Sequence, residues 1–335
     1  MRIALDSMGG DFAPAYPVHA AVEALRNFRA ISRLILVGDE EQIRRELSRH
    51  GTVPADRLRV FHTTQVVAMA DSPVEAVRRK KDSSMCRAVD LVKEGAADAI
   101  VSAGNTGALL AASTIKLRTL AGVDRAALAV VMPKRDGIFV LMDAGASVDA
   151  KPDNLVDYAI MGEAYCRHLL RKPDPKIGVL SNGSERGKGS KLACEAYDLL
   201  KDTPVNFIGN IEGHDLFDGP ADVVVCDGFV GNVLLKSIES MARMTFKMLK
   251  EELTANLVRL SGAMLTKGAF ATIHKKVNAD DHGGALLLGV NGIVIKAHGS
   301  SSVRALCSSL RVAVEAVDNQ VNPHIIENLA RLRNL

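Results

Sequence analysis

Short apolar runs, each closed by a loop of Gly, Asn, Asp and Ser and followed by a helical pattern, recur along almost the whole of this 335-residue chain. The runs are Ile3–Leu5, Leu34–Val37, Ala99–Val101, Ile138–Met142, Ile177–Leu180, Asn206–Ile208, Val223–Val225 and Gly292–Ile295. Runs that are continuous rather than alternating, and interleaved with helices, belong to strands covered on both faces. The expected fold class is therefore α/β, three layers around a mostly parallel sheet. The first helix is marked by Pro17, which suits an N1 position, with Val18, Val22, Leu25 and Phe28 on one face. With no repeat and no low-complexity linker, residues 1–335 read as a single α/β domain.

In sheets of this kind ligands lie beyond the carboxyl ends of the strands. The unusual loops fall there, and the most informative is Ser181-Asn-Gly-Ser-Glu-Arg-Gly-Lys-Gly-Ser190. Its small residues leave backbone N–H groups open ahead of a helix that begins near Lys191, which is the composition of an anion cradle. Ser181, Asn182, Gly183, Ser184 and Gly187 are the expected phosphate contacts, and Lys188, flanked by Gly187 and Gly189, is the expected cation. A solvated loop lysine is the competing reading. The loop narrowly fails the Walker pattern: Asn182 stands five before Gly187 where Gly is needed, and Gly189 follows Lys188 where Ser or Thr would hold magnesium. Phosphate without a P-loop nucleotide is the expectation.

Three further loops repeat the strand, turn and helix-start arrangement. Asn105, Thr106 and Gly107 can cap a helix, meet an anion, or do both. Asn232 can cap the helix that follows Asp227-Gly-Phe-Val-Gly, or turn its amide towards a carbonyl or phosphate. His298, before a helix for which Ser300 or Ser301 is the expected cap, can act as acid, base or anion ligand, or serve structure alone. Asp6, Asp11, Asp143 and Asp149 are too scattered for a metal site and read as loop braces, so no metal is expected.

Composition removes other classes. Only 4% of residues are aromatic and the net charge is +3, a poor base for nucleic-acid binding. No signal-peptide pattern opens the chain, and five scattered cysteines without a Cys-x-x-Cys pair predict reduced thiols and a cytoplasmic protein. Residues 233–280 change rhythm to continuous helix. Leu234, Ile238, Met241, Met244 and Met248 form one apolar stripe, and Leu235, Ala242, Phe246, Leu249 and Leu253 another. This helical arm is expected to pair with a second subunit or to touch a membrane surface, with a Met-rich stripe more often core.

The loops also carry a family likeness. Through Asp6–Pro14, Met69–Met85, Ser102–Ala108, Met142–Asp149, Leu180–Lys191, Gly209–Asn232 and Gly283–Ser301, the chain resembles the bacterial phosphate acyltransferases of phospholipid synthesis, the PlsX family. Ser7, Ser147, His214 and the Asp280-Asp-His282 lead-in depart from the family pattern. The resemblance implies a Rossmann-like fold related to isocitrate and isopropylmalate dehydrogenases and to phosphotransacetylase, with no cofactor. It implies transfer of a long-chain acyl group from acyl carrier protein to inorganic phosphate, a homodimer, and delivery to a membrane acyl phosphate:glycerol-3-phosphate acyltransferase. That would place the enzyme in the cytoplasm, peripheral to the inner face of the membrane. Lys188 and Asn232 would be its catalytic residues, with Asn105 and Thr106 as second-side phosphate contacts. The basic run Arg78-Arg-Lys-Lys81, or the basic residues of the arm, would dock the acidic carrier protein; a solvated face is the alternative for the 78–81 run. A short-chain acyl-CoA phosphotransacetylase and a non-catalytic carrier-protein scaffold are the alternatives.

Overall fold

A computed structural model describes residues 1–51, 53–277 and 283–333. The chain opens with β1 (Arg2–Asp6), α1 (Ala15–Asn27), β2 (Arg33–Gly38), α2 (Glu40–Leu47), β3 (Leu58–His62), α3 (Pro73–Arg79), α4 (Ser84–Lys93), β4 (Ala99–Ser102) and α5 (Thr106–Leu117). It continues through β5 (Ala127–Lys134), β6 (Gly137–Met142), α6 (Pro152–His168), β7 (Ile177–Leu180), α7 (Lys191–Lys201), β8 (Phe207–Ile211), α8 (Asp215–Asp218) and β9 (Val223–Val225). Two long helices follow, α9 (Gly228–Leu253) and α10 (Leu257–Val277), before β10 (Ala285–Leu288), β11 (Ile293–Lys296), α11 (Val303–Asp318) and α12 (Val321–Arg333).

The strands join in one sheet, ordered β3-β2-β1-β4-β11-β10-β5-β6-β9-β7-β8. Side chains alternate across it, as a strand period of two requires. Ile3 and Leu5 of β1 face the core shared with α1, α6, α7, α11 and α12, while Ala4 faces the core shared with α3, α4, α5 and α8. The three-layer α/β expectation holds.

Within that sheet two parallel blocks run in opposite directions. β1, β2, β3, β4 and β11 are parallel to one another, as are β6, β7, β8 and β9. Antiparallel β10 and the β5–β6 hairpin join the blocks. β5 serves both in turn: Ala127–Ala129 pair with β10, and Val130–Lys134 pair with β6. Beyond Ala129, no strand among the described residues pairs with β5 on the β10 side, and the described sheet splits there. Pro133, which has no N–H to donate, is tolerated because it sits on this one-sided stretch. β3, β5 and β10 are strands beyond the eight runs expected from sequence.

Several local expectations shift. α1 begins at Ala15, so Pro17 occupies the third helical position rather than the first. Asp227 caps α9, its Oδ1 accepting from the Phe229 and Val230 N–H groups at 2.9 Å, so Asn232 lies inside the helix and caps nothing. Ser302 rather than Ser300 or Ser301 caps α11. The arm forms two helices, with residues 278–282 outside the described residues. Leu234, Leu235 and Ile238 pack on the core, but Met241, Met244 and Met248 are exposed, so the methionine stripe is not core within one chain. Among the described residues, no helix is long and apolar enough to cross a membrane.

Candidate active site

The split in the sheet opens into a cavity of about 580 Å³, within the ~300–1,000 Å³ range of small-molecule sites. One wall is β5, with Leu128 from the stretch paired to β10 and Val130 and Met132 from the one-sided stretch beyond it. The opposite wall is α9, which presents Leu235, Ile238 and Ala242 at helical spacing. The polar end is built from the carboxyl ends of both blocks. Thr106 follows β4, Lys296 ends β11 with His298 in the loop after it, and Asn232 follows β9. Staggered pairing along β5 causes this convergence. β6 ends beside the start of β5, where the Ala144 N–H donates to the Leu128 carbonyl, and β11 ends opposite Ala285 and Ser102.

Asn232 is held in place by glycines. A Cβ on Gly231 would lie 1.9 Å from the Asp143 carbonyl oxygen, and one on Gly145 would lie 2.6 Å from Asn232 Nδ2. The first turn of α9 can thus press onto the loop after β6 only because both positions lack side chains. Asp143 braces that loop, accepting from the N–H groups of Leu128, Gly145, Ala146 and Ser147. Burial pushes its carboxyl above the ordinary range, while these four donors pull it back. Asp6 plays the same part in the other block, accepting from Ser102 Oγ and Ser84 Oγ at 2.6 Å each. Its carboxyl is likewise raised by burial and held back by those hydroxyls. Asp6 and Asp143 thus behave as the loop braces expected of them.

The structure brings Thr106, Asn232 and His298 to one cavity and leaves the other expected site residues out of its lining. Asn105 is buried and fully engaged: its Oδ1 caps α5 through the Ala108 N–H at 3.0 Å, and its Nδ2 donates to the Met69 carbonyl at 2.9 Å and the Asp71 carbonyl at 3.2 Å. Gly107 packs against Pro73, whose Cγ would lie 2.6 Å from an added Cβ. His298 Nδ1 accepts from the Ser300 N–H at 3.2 Å, so the neutral ring carries its proton on Nε2.

The 181–190 loop follows β7, one strand beyond β9, and does not line the cavity. Ser181 is half-buried, with no hydrogen-bond partner for its Oγ among the described residues. Asn182, Ser184, Gly187 and Lys188 are exposed, while Gly183 is buried under the Lys188 stem. Gly187 and Gly189 hold φ of +90° and +110°, so left-handed backbone flanks the lysine on each side. Of the loop's two cations, Arg186 pairs with Asp198 at 2.8 Å, whereas the Lys188 ammonium has no partner among the described residues.

Lys296 escaped the sequence reading, which singled out His298 from the same segment. It is 7% exposed, and burial lowers its ammonium to about 8, with Asp6 and Asp11 opposing the shift. One signal was available: a lysine closing the apolar run Ile293-Val-Ile295 must end at the carboxyl edge of a buried strand.

Comparison with known proteins fits this architecture. The family described as "Fatty acid synthesis protein" matches residues 1–324. The phosphate acyltransferase of Shouchella clausii is 47% identical over 98% of both chains. A phosphotransacetylase from Streptococcus pyogenes shares the fold with a TM-score of 0.60 at 17% identity, covering 96% of this chain and 94% of its own. A 4-hydroxythreonine-4-phosphate dehydrogenase from Klebsiella pneumoniae shares it with a TM-score of 0.50 at 16% identity, covering 95% and 99%. By the full-length family match and the near-half identity of its relatives, the chain belongs to the fatty acid synthesis protein family, the PlsX family, and is an enzyme of the phosphate acyltransferase class.

Proposed function

We propose that this enzyme moves a long-chain fatty acyl group from the thioester of acyl carrier protein to inorganic phosphate, giving acyl phosphate for phosphatidic acid synthesis. The observation that carries this reading is a single cavity with a polar, cationic end and a long apolar wall, which suits an acyl thioester carbonyl beside phosphate with its hydrocarbon tail along β5 and α9. Burial of each methylene contributes about 0.8 kcal/mol, so the apolar wall favours long chains. A phosphate oxygen forms the new C–O bond at the carbonyl carbon, the C–S bond breaks, and its electron pair leaves with the sulfur of the carrier. No acyl-enzyme is needed, because phosphate is itself the nucleophile. The protein supplies proximity and stabilisation of the tetrahedral oxyanion.

In this reading Asn232, on the cavity wall with an uncommitted amide, donates to the oxyanion. Lys188, whose ammonium has no ion-pair partner among the described residues, orients phosphate from the loop after β7, with the Ser181–Gly187 backbone around it. Thr106 contacts phosphate from the opposite block. Arg78 and Lys81 form an exposed basic patch for the acidic carrier protein; Arg79 and Lys80 are tied to Glu75 and Asp71. The exposed methionines of α9 and the exposed Leu257, Val258, Met264 and Leu265 of α10 fit a homodimer contact and a peripheral touch on the membrane. That would set the enzyme in the cytoplasm beside the membrane enzyme that consumes acyl phosphate. The test is a donor comparison, palmitoyl carrier protein against acetyl-CoA, with phosphate as acceptor and acyl phosphate trapped by hydroxylamine. Preference for acetyl-CoA would move the assignment to a short-chain phosphotransacetylase, and binding without turnover to a scaffold. Lys188→Ala is expected to lose most product formation while keeping its fold.

A further inference from the structure

We propose that Lys296 is a further catalytic residue, its ammonium holding the phosphate nucleophile at the polar end of the cavity beside the first turn of α5. The inference rests on the phosphate acyltransferase reading above and adds a contact from the cavity lining itself, where Lys188 is absent. A buried ammonium is costly unless it is paired. Lys296 is buried, yet among the described residues no carboxylate lies within ion-pair distance of it. Its Nζ donates to the carbonyl of its neighbour Ala297, which leaves two of its three N–H groups for a ligand. The nearest buried acid, Asp6, is already taken by the Ser84 and Ser102 hydroxyls, and Asp11 is exposed to solvent.

The missing partner has a defined place. Lys296 pairs in register with Ser102 at the end of β4, and the Ala297 N–H donates to the Ser102 carbonyl at 2.9 Å. Four residues beyond Ser102, Thr106 opens α5 on the same cavity wall. Asn105 uses its side chain on the Ala108 N–H and its carbonyl on Leu109, which leaves the Thr106 and Gly107 N–H groups without a partner among the described residues. An oxyanion between Lys296 and this helix start would complete both. A tetrahedral oxyanion such as phosphate meets the charge and the N–H donors there, and the carbonyl it must attack has the adjacent apolar wall beside it.

The test separates a ligand-binding lysine from a structural one by reading stability and affinity in opposite directions. In Lys296→Met the buried charge is removed, so without phosphate the melting temperature is expected to rise by about 3 °C. Inorganic phosphate alone, titrated into the protein with no acyl donor, should then bind about 10- to 100-fold more weakly, with the KM for phosphate rising by the same factor. Lys296→Gln keeps a donor for the Ala297 carbonyl and should weaken phosphate equally. A lowered melting temperature with unchanged phosphate affinity would make Lys296 a brace of the 296–299 loop and overturn the proposal, as would full affinity in Lys296→Gln. If the unaltered enzyme forms no acyl phosphate, the acyltransferase reading fails instead, and the donor-free titration still decides the phosphate contact.

Discussion

Gly231→Ala is the sharpest test of how the site is assembled, because one added methyl group meets backbone rather than a side chain. The new Cβ would sit 1.9 Å from the Asp143 carbonyl oxygen, where Cβ contacts under 3.0 Å essentially do not occur. The start of α9 and the loop after β6 must therefore separate by at least about 1.1 Å. Neither can yield cheaply, since the Asp143 carboxylate holds its own loop through four backbone N–H groups. Overpacking of this kind costs roughly 1–3 kcal/mol, which a 335-residue enzyme survives. Asn232 is the next residue and moves with the helix. A displacement near 1 Å at a catalytic group costs about 100-fold in rate, so kcat for acyl phosphate formation should fall by that order while the protein remains folded. Gly262→Ala is the control: nothing lies within 4 Å of its added Cβ, and on an exposed helix it should be neutral or stabilising by up to about 1 kcal/mol. Steady-state kinetics with far-UV dichroism on both variants decides the matter. Activity of Gly231→Ala within twofold of the parent enzyme would show that Asn232 is not positioned by this contact.

Ala242→Phe should shorten the cavity, lowering kcat/KM for a sixteen-carbon donor about tenfold or more relative to an eight-carbon one; an unchanged ratio would place the chain elsewhere. The pH dependence follows Lys296, whose ammonium is lowered by burial while Asp6 and Asp11 oppose the shift. Its folded value of about 8 lies below the ordinary 10.5, so the ammonium is lost as pH rises through 8 and turnover at low phosphate should fall there. Stability should move the other way, rising between pH 8 and 10.5, because the unfolded chain binds more protons in that window. Replacing Met241, Met244 and Met248 together by Lys should convert a homodimer to monomer in light scattering, and a species unchanged in mass would remove the arm from the subunit contact.

How far the site was legible depends on which residues carry short-range signals. Eight strands announced themselves through continuous apolar runs, and the loops after them sat at the carboxyl ends where ligands bind. What stayed hidden is long-range. β5 carries Pro133, which argues against a central strand until one sees that the strand is paired on a single side there. The same one-sidedness makes the cavity, so the feature that concealed the strand is the feature that forms the site. Asn105 and Asn232 looked alike, each an amide after a strand and near a helix start. Only the fold separates them, by giving the first a cap and a loop to hold and by seating the second five residues past the Asp227 cap with its amide uncommitted among the described residues. Lys188 was conspicuous because glycines surround it, yet conspicuous glycines mark a special backbone rather than the centre of a cavity. Lys296 was inconspicuous because it ends an ordinary apolar strand, and that is the reason it is buried. Lysines flanked by glycine sit in solvent and recruit a ligand from outside; lysines that close a buried strand are already desolvated and need an anion to complete them. In the proposed site, a phosphate held between Lys188 and Lys296 would use one of each.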